Sequence, residues 1–174
     1  MKTLPCPRLL FRCALLVAGL LAATSLRAVD VSGTYEAVGA DVPAAGAPRT
    51  TVSLAALICL QLNHAAGLKE QADIATVRLE QTDASLSVRT ADARGEARWG
   101  GRWERQRGFN ITEDYLPRLA FRAPHLGDDF YALTFRLEAN GAVLVVDLDK
   151  FGPKLSGQKP EKLGTFLFTR AEKR

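Results

Sequence analysis

Cysteine, histidine and methionine are all scarce in this chain. Its 174 residues hold three cysteines, two histidines and one methionine. Cys6 and Cys13 lie near the N-terminus, so Cys59 stands alone in the body and an internal disulfide is excluded there. His64 and His125 with one cysteine cannot make a closed zinc site of the usual spacings. No Walker loop, Rossmann glycine pattern or nucleophile elbow appears. Catalysis is therefore not the expected role, and no metal or other cofactor is expected. No apolar run approaches the roughly 20 residues that a membrane-spanning helix needs. A surplus of charge is also missing from the body. The formal charge of +4 equals the contribution of Lys2, Arg8, Arg12 and Arg27, and residues 29–174 carry 19 basic against 19 acidic side chains. That balance removes the electrostatic case for a nucleic-acid partner.

The composition that remains, 47% hydrophobic and 24% charged, belongs to a globular protein. The first 28 residues read as a signal peptide. Lys2, Arg8 and Arg12 form a positive region, and residues 13–23 form an apolar run of 11. The cut falls after Ala28 or, alternatively, after Ser25. Arginine-over-lysine usage and abundant alanine fit a GC-rich bacterial source, so the expected destination is the periplasm or the exterior. Residues 29–174 then form a single domain, with no linker or repeat to divide them. Cys59 lies in the apolar run LAALICLQL with no adjoining charge, as a buried small hydrophobe would.

One helix is expected at 51–66. Thr51 or Ser53 caps it, Gly67 stops it, and Leu54, Leu57, Ile58 and Leu62 share a face. Elsewhere the pattern has period two. Tyr131, Leu133, Phe135 and Leu137 alternate with smaller or polar residues and lead into Asn140-Gly141, a type I′ hairpin signal. A two-residue loop there pairs Leu137 with Leu144, Phe135 with Val146 and Leu133 with Leu148, all on one face, with Thr134 against Asp147 on the other. A second hairpin at 76–90 turns at Asp83-Ala84 and pairs Leu79 with Val88 and Gln81 with Leu86. Further strands are expected at 31–38, 96–107, 117–123 and 163–170. In the 96–107 strand Ala97, Trp99, Gly101 and Trp103 share one face and Arg98, Arg102 and Glu104 the other, with a bend or bulge at Gly100-Gly101. The tally is eight strands. That even number closes an antiparallel barrel, and eight is the size that either fills with side chains or holds one small ligand. An open sandwich is the rival.

Gly33-Thr34-Tyr35 opens the first strand, and Arg170 ends the last. This resembles the lipocalin and wider calycin group, where Gly-x-Trp begins the barrel and an arginine packs over that ring, a cation–π contact. Thr112-Glu113-Asp114-Tyr115 is similar to the group's Thr-Asp-Tyr, with an inserted Glu and an earlier place in the strand order. Tyr35 replaces the tryptophan, the C-terminal helix is missing, and the helix at 51–66 is extra. The resemblance implies a mainly β, up-and-down eight-stranded barrel, closed at Gly33, Tyr35 and Arg170, that carries an apolar ligand.

The chemistry-bearing clusters are few. Six arginines (89, 94, 98, 102, 105 and 107) interleave with Trp99 and Trp103, as a nucleic-acid stacking platform would. Strand alternation instead sets the arginines on a solvated outer face. Trp99 and Trp103 then wall a cavity or fill a core. The loop 150–162, with Lys150, Lys154, Lys159 and Lys162, reads as a soluble connection. The expected function is non-catalytic binding of a small apolar or amphiphilic ligand within Tyr35, Trp99, Trp103, Tyr131, Phe135 and Phe166. The alternative is a structural or protein-interaction module of the cell envelope with a filled interior.

Overall fold

Alternating side chains build nearly everything observed. A computed structural model describes residues 27–43, 47–59, 73–105, 107–122, 127–153 and 159–171. Among them, eleven strands run in the order β1 (Gly33–Glu36), β2 (Val38–Asp41), β3 (Thr51–Ser53), β4 (Ile74–Gln81), β5 (Ser85–Asp92), β6 (Ala97–Glu104), β7 (Phe109–Ile111), β8 (Pro117–Arg122), β9 (Phe130–Glu138), β10 (Val143–Phe151) and β11 (Glu161–Thr169). One helix, α1 (Leu54–Cys59), follows β3 directly. No described helix is long and apolar enough to cross a membrane. The proposed leader lies almost wholly outside the described residues.

Every ladder is antiparallel. β1-β4-β5-β6 form a four-stranded sheet, and β3-β2-β11-β10-β9-β8-β7 form a seven-stranded one. The fold is thus mainly β and antiparallel, as expected, but eleven strands in two sheets stand where eight in one closed barrel were anticipated. Two local causes account for the difference. The first strand bends at Ala37, so its first half pairs with β4 and its second half with β11. Between β6 and β7 no ladder joins the sheets among the described residues.

The two expected hairpins take their expected registers. Across β9 and β10, Leu137, Phe135, Leu133 and Thr134 stand opposite Leu144, Val146, Leu148 and Asp147. Across β4 and β5, Leu79 stands opposite Val88 and Gln81 opposite Leu86. That second turn is tied by Thr82, whose Oγ1 accepts from Ser85 N–H at 3.0 Å. In β6 an extra residue sits between Ala97 and Gly100, so the bulge falls just before the glycine pair.

The expected helix starts later than the sequence suggested. β-branched Thr51 and Val52 pair with β2 instead, and Ser53 becomes the cap, accepting from Ala56 N–H at 3.2 Å. The continuation to residue 66 lies outside the described residues. Inward side chains of both sheets and α1 share one apolar core, in which Tyr35, Leu86, Phe109, Leu133, Phe135, Leu144 and Phe168 are completely enclosed.

The β9–β10 turn carries a cost that can be measured. Asn140 and Gly141 have φ of 56° and 88°, as a type I′ turn requires. Ala139, just before them, also has φ of 50°. A methyl side chain in that left-handed region is strained, and glycine relieves it. Ala139→Gly should therefore raise stability by about 1 kcal/mol, read as a higher urea midpoint at unchanged m. Asn140→Ala should lower it by a similar amount.

Candidate functional site

The described ends of the chain meet at Tyr35. β1 carries it inward, and Arg170, just past β11, pairs with it as an isolated antiparallel bridge. The Arg170 guanidinium stands 5.6 Å from the Tyr35 ring centroid, within cation–π range. It also donates to Ser32 O at 2.5 Å. The Tyr35 hydroxyl donates to Val31 O at 2.8 Å, so the buried phenol has a partner. Burial pushes its pKa up, and the charge and hydrogen bond of Arg170 pull partly against that. Gly33 lies flat beneath Arg170: a Cβ there would come within 2.6 Å of Nη2. A cleft of about 520 Å³ opens beside this junction, lined by Ser32, Gly33, Arg78, Glu80 and Arg170 among others.

The aromatic residues form separate groups. Trp99 and Trp103 lie on the inward face of β6 with centroids 6.1 Å apart and planes tilted by 51°. The Trp103 ring folds back over Gly101, in the space a side chain would occupy. Thr90 secures Trp99 from the neighbouring strand: its hydroxyl donates to Trp99 O and accepts from Trp99 N–H, each at 2.9 Å. Tyr131 stacks on Phe121 at 6.1 Å. Phe135 and Phe166 flank Val146 from opposite strands.

These six do not line one shared space to the same degree. A side chain bordering a void large enough for water keeps surface against it. Tyr35 and Phe135 keep none, so they act as core. Tyr131 and Trp103 keep 5% and 8%, while Trp99 and Phe166 are half-buried.

Comparison with protein-family models, curated proteins and solved structures gives no match.

Two polar constellations escape a reading of the chain alone. Asp92 ends β5, and its carboxylate accepts from the backbone N–H groups of Glu96 and Arg94 and from Arg98. Those bonds, the Glu96 N–H foremost, hold its pKa low. On the outer face of the larger sheet, Asp147 accepts from Thr165 Oγ1 at 2.6 Å and pairs with Lys162 at 2.8 Å and Arg136 at 3.4 Å. Arg136 also pairs with Glu138. Only the alternation Asp147-Leu148-Asp149 hints at this, because Lys162 and Thr165 come from a different strand.

Other candidates carry less chemistry. Among the described residues no three His, Cys, Asp or Glu side chains converge on a metal position, and His64 and His125 lie outside them. Cys59 is half-buried, and burial pushes its thiol up to about 11, far from a reactive thiolate. The Thr112–Tyr115 segment forms the β7–β8 turn, where Thr112 Oγ1 accepts from Leu116 N–H. The loop expected at 150–162 is shorter, because Lys150 belongs to β10, where it pairs with Asp129 at 2.9 Å, and Lys162 belongs to β11; Lys154 lies outside the described residues.

Removing the Arg170 side chain should cost about 1–2 kcal/mol, through the lost ring contact and the unsatisfied Ser32 carbonyl. Gly33→Ala should cost a similar amount by displacing the same guanidinium. In a double-mutant cycle the double variant should lose much less than the sum of the two single losses.

Asp147 and Asp149 should move acid stability in opposite directions. Partial burial would raise the Asp147 pKa, but hydrogen bonds from Lys162, Thr165 and Arg136 outweigh it and lower it. Its stabilisation is complete above the unfolded value of about 3.9 and is lost as pH falls through the folded value. Burial, then repulsion from Asp147, raises the Asp149 pKa, so this group destabilises the fold as pH rises through that folded value. Asp147→Asn should therefore lower stability at pH 7 and flatten the acid limb. Asp149→Asn should raise stability at pH 7. Unfolding curves between pH 2 and 7 measure both.

Proposed function

We propose that this chain is an exported, non-catalytic binding protein for a small apolar or amphiphilic ligand. One observation carries the reading: a tilted tryptophan pair on β6, whose far edge has no ladder partner among the described residues. Trp99 retains surface while Trp103 descends into the core. A ligand would rest on Trp99 and, by parting β6 from β7, reach Trp103, with Phe121, Tyr131 and Phe166 as further apolar contacts. The finer architecture that goes with this proposal is a lipocalin-like barrel with an open seam between β6 and β7. The Tyr35–Arg170 pairing supports that likeness. Export is supported by where the fold takes hold. Val29 N–H donates to Tyr115 O at 2.8 Å, and Gln81 Nε2 donates to Val29 O at 2.9 Å. A cut after Ala28 would leave both contacts in place.

The second reading, an envelope interaction module with a filled interior, draws on the complete enclosure of Tyr35, Phe135 and Phe168. Tryptophan fluorescence separates the two. Titrating the protein beginning at Val29 with fatty acids and a hydrophobic dye should blue-shift and enhance emission, with Trp99→Ala weakening binding about tenfold. A flat response across acyl chains of different length, with the dye also silent, overturns the carrier reading in favour of the second.

A further inference from the structure

The ligand reading uses the missing ladder partner of β6, but not the outward backbone groups and the arginines along that same edge. β6 closes one side of the four-stranded sheet and pairs only with β5 among the described residues. Its alternation can be fixed from the strand's end. Arg105 N–H donates to Ala84 O at 3.0 Å, so the residues in step with Arg105, namely Trp103 and Gly101, face β5. The backbone groups of Arg102 and Gly100 therefore point away from β5. Gly100 is itself exposed, so no described residue covers the edge at its centre. A row of outward N–H and C=O groups is a template for another strand.

The charge along this margin selects what that strand would be. Arg98 is held by Asp92 at 2.6 Å, and Arg102 meets Glu104 only at 3.7 Å. Neither Arg105 nor Arg107 has an ion-pair partner among the described residues. Arg102, Arg105 and Arg107 line a depression of about 390 Å³ with Glu104 and Ala84. A second copy of the chain is a poor occupant. Antiparallel self-pairing centred on Gly100 would set Arg98 opposite Arg102 twice, and like charges directly opposed are destabilising.

We infer that the free edge of β6 docks an extended acidic segment of another polypeptide, which adds to the sheet as a fifth strand. Its backbone bonds to Gly100 and Arg102, and its carboxylates meet Arg102, Arg105 and Arg107. The acidic side chains give direction and selectivity, while the ladder gives geometry.

The test uses a blocked peptide of about eight residues alternating glutamate and threonine, a length that spans one strand. Three comparison probes accompany it: a lysine/threonine version, a glutamate version N-methylated at alternate residues, and inorganic polyphosphate. The glutamate peptide should bind more weakly as salt rises and slow amide exchange at Gly100 and Arg102 by about tenfold. N-methylation should abolish that protection. The double variant Arg102→Glu/Arg105→Glu, altered only at exposed side chains, should lose the glutamate peptide about tenfold and gain the lysine peptide. Three results overturn the inference: no binding of the glutamate peptide at about 1 mM, equal binding of the N-methylated form, or polyphosphate competing fully without amide protection. The last would make the margin a polyanion surface with no strand pairing. Fatty-acid fluorescence is independent of all these readouts, so failure here leaves the proposal for Trp99 and Trp103 to its own experiment.

Discussion

At Ala37 the first strand leaves one sheet and joins the other, and the placement of both sheets depends on that step. Ala37 N–H donates to Ala75 O in β4, while its C=O accepts from Leu54 N–H at the start of α1. One buried residue thus ties the smaller sheet to the helix. Upstream, Tyr35 faces Arg170; downstream, Gly39 lies so close to β11 that a Cβ would come within 2.2 Å of Leu167 O. A larger residue at position 39 would push β2 off β11 and leave the crossing without its second anchor. The junction joins segments from the two ends of the chain, so it can form only after a long loop closes. Entropy makes such contacts late in folding, and they depend on the local hairpins being present first.

That order also explains what the amino-acid sequence reveals. The β9–β10 register is legible because it needs only local information: alternation in two adjacent segments and Asn140-Gly141 between them. The same holds for β4–β5. The bend at Ala37 is hidden because alanine carries no turn signal, and the cause lies in partners 38 and 17 positions away, Ala75 and Leu54. Thr51 and Val52 mislead for a related reason. Their capping position and their β-branching favour different structures, and the presence of β2 decides between them. Asp147 is readable as an outward residue, but its partners Lys162 and Thr165 come from a strand whose register shifts beyond Leu148.

The candidate site was legible in part for the same physical reason. Alternation places Trp99 and Trp103 on one face, and Gly33-Thr34-Tyr35 in the first strand with Arg170 after the last marks the two segments that meet. Which aromatics retain surface is not written in period two. Phe135 and Phe166 share a face, yet one is enclosed and the other half-buried, because enclosure depends on the opposing sheet and not on the strand that carries the ring.

The packed interior constrains how a ligand would be held. One that only covered the exposed part of Trp99 would bury about 150 Å² of apolar surface, worth about 4 kcal/mol before association costs, a millimolar interaction at best. Tighter binding needs Trp103, and Trp103 lies against Gly108 at the approach to β7. Reaching it means parting β6 from β7. That is the least costly place to open the molecule, because no ladder spans the gap among the described residues, whereas parting any other neighbouring pair breaks backbone hydrogen bonds. Adding a strand to the free edge of β6 uses that same discontinuity, because the edge left by β5 is the one that borders the gap. The two modes would then be coupled: a partner that orders β6 also fixes how far the strand can move from β7, and hence how readily a ligand reaches the inner tryptophan.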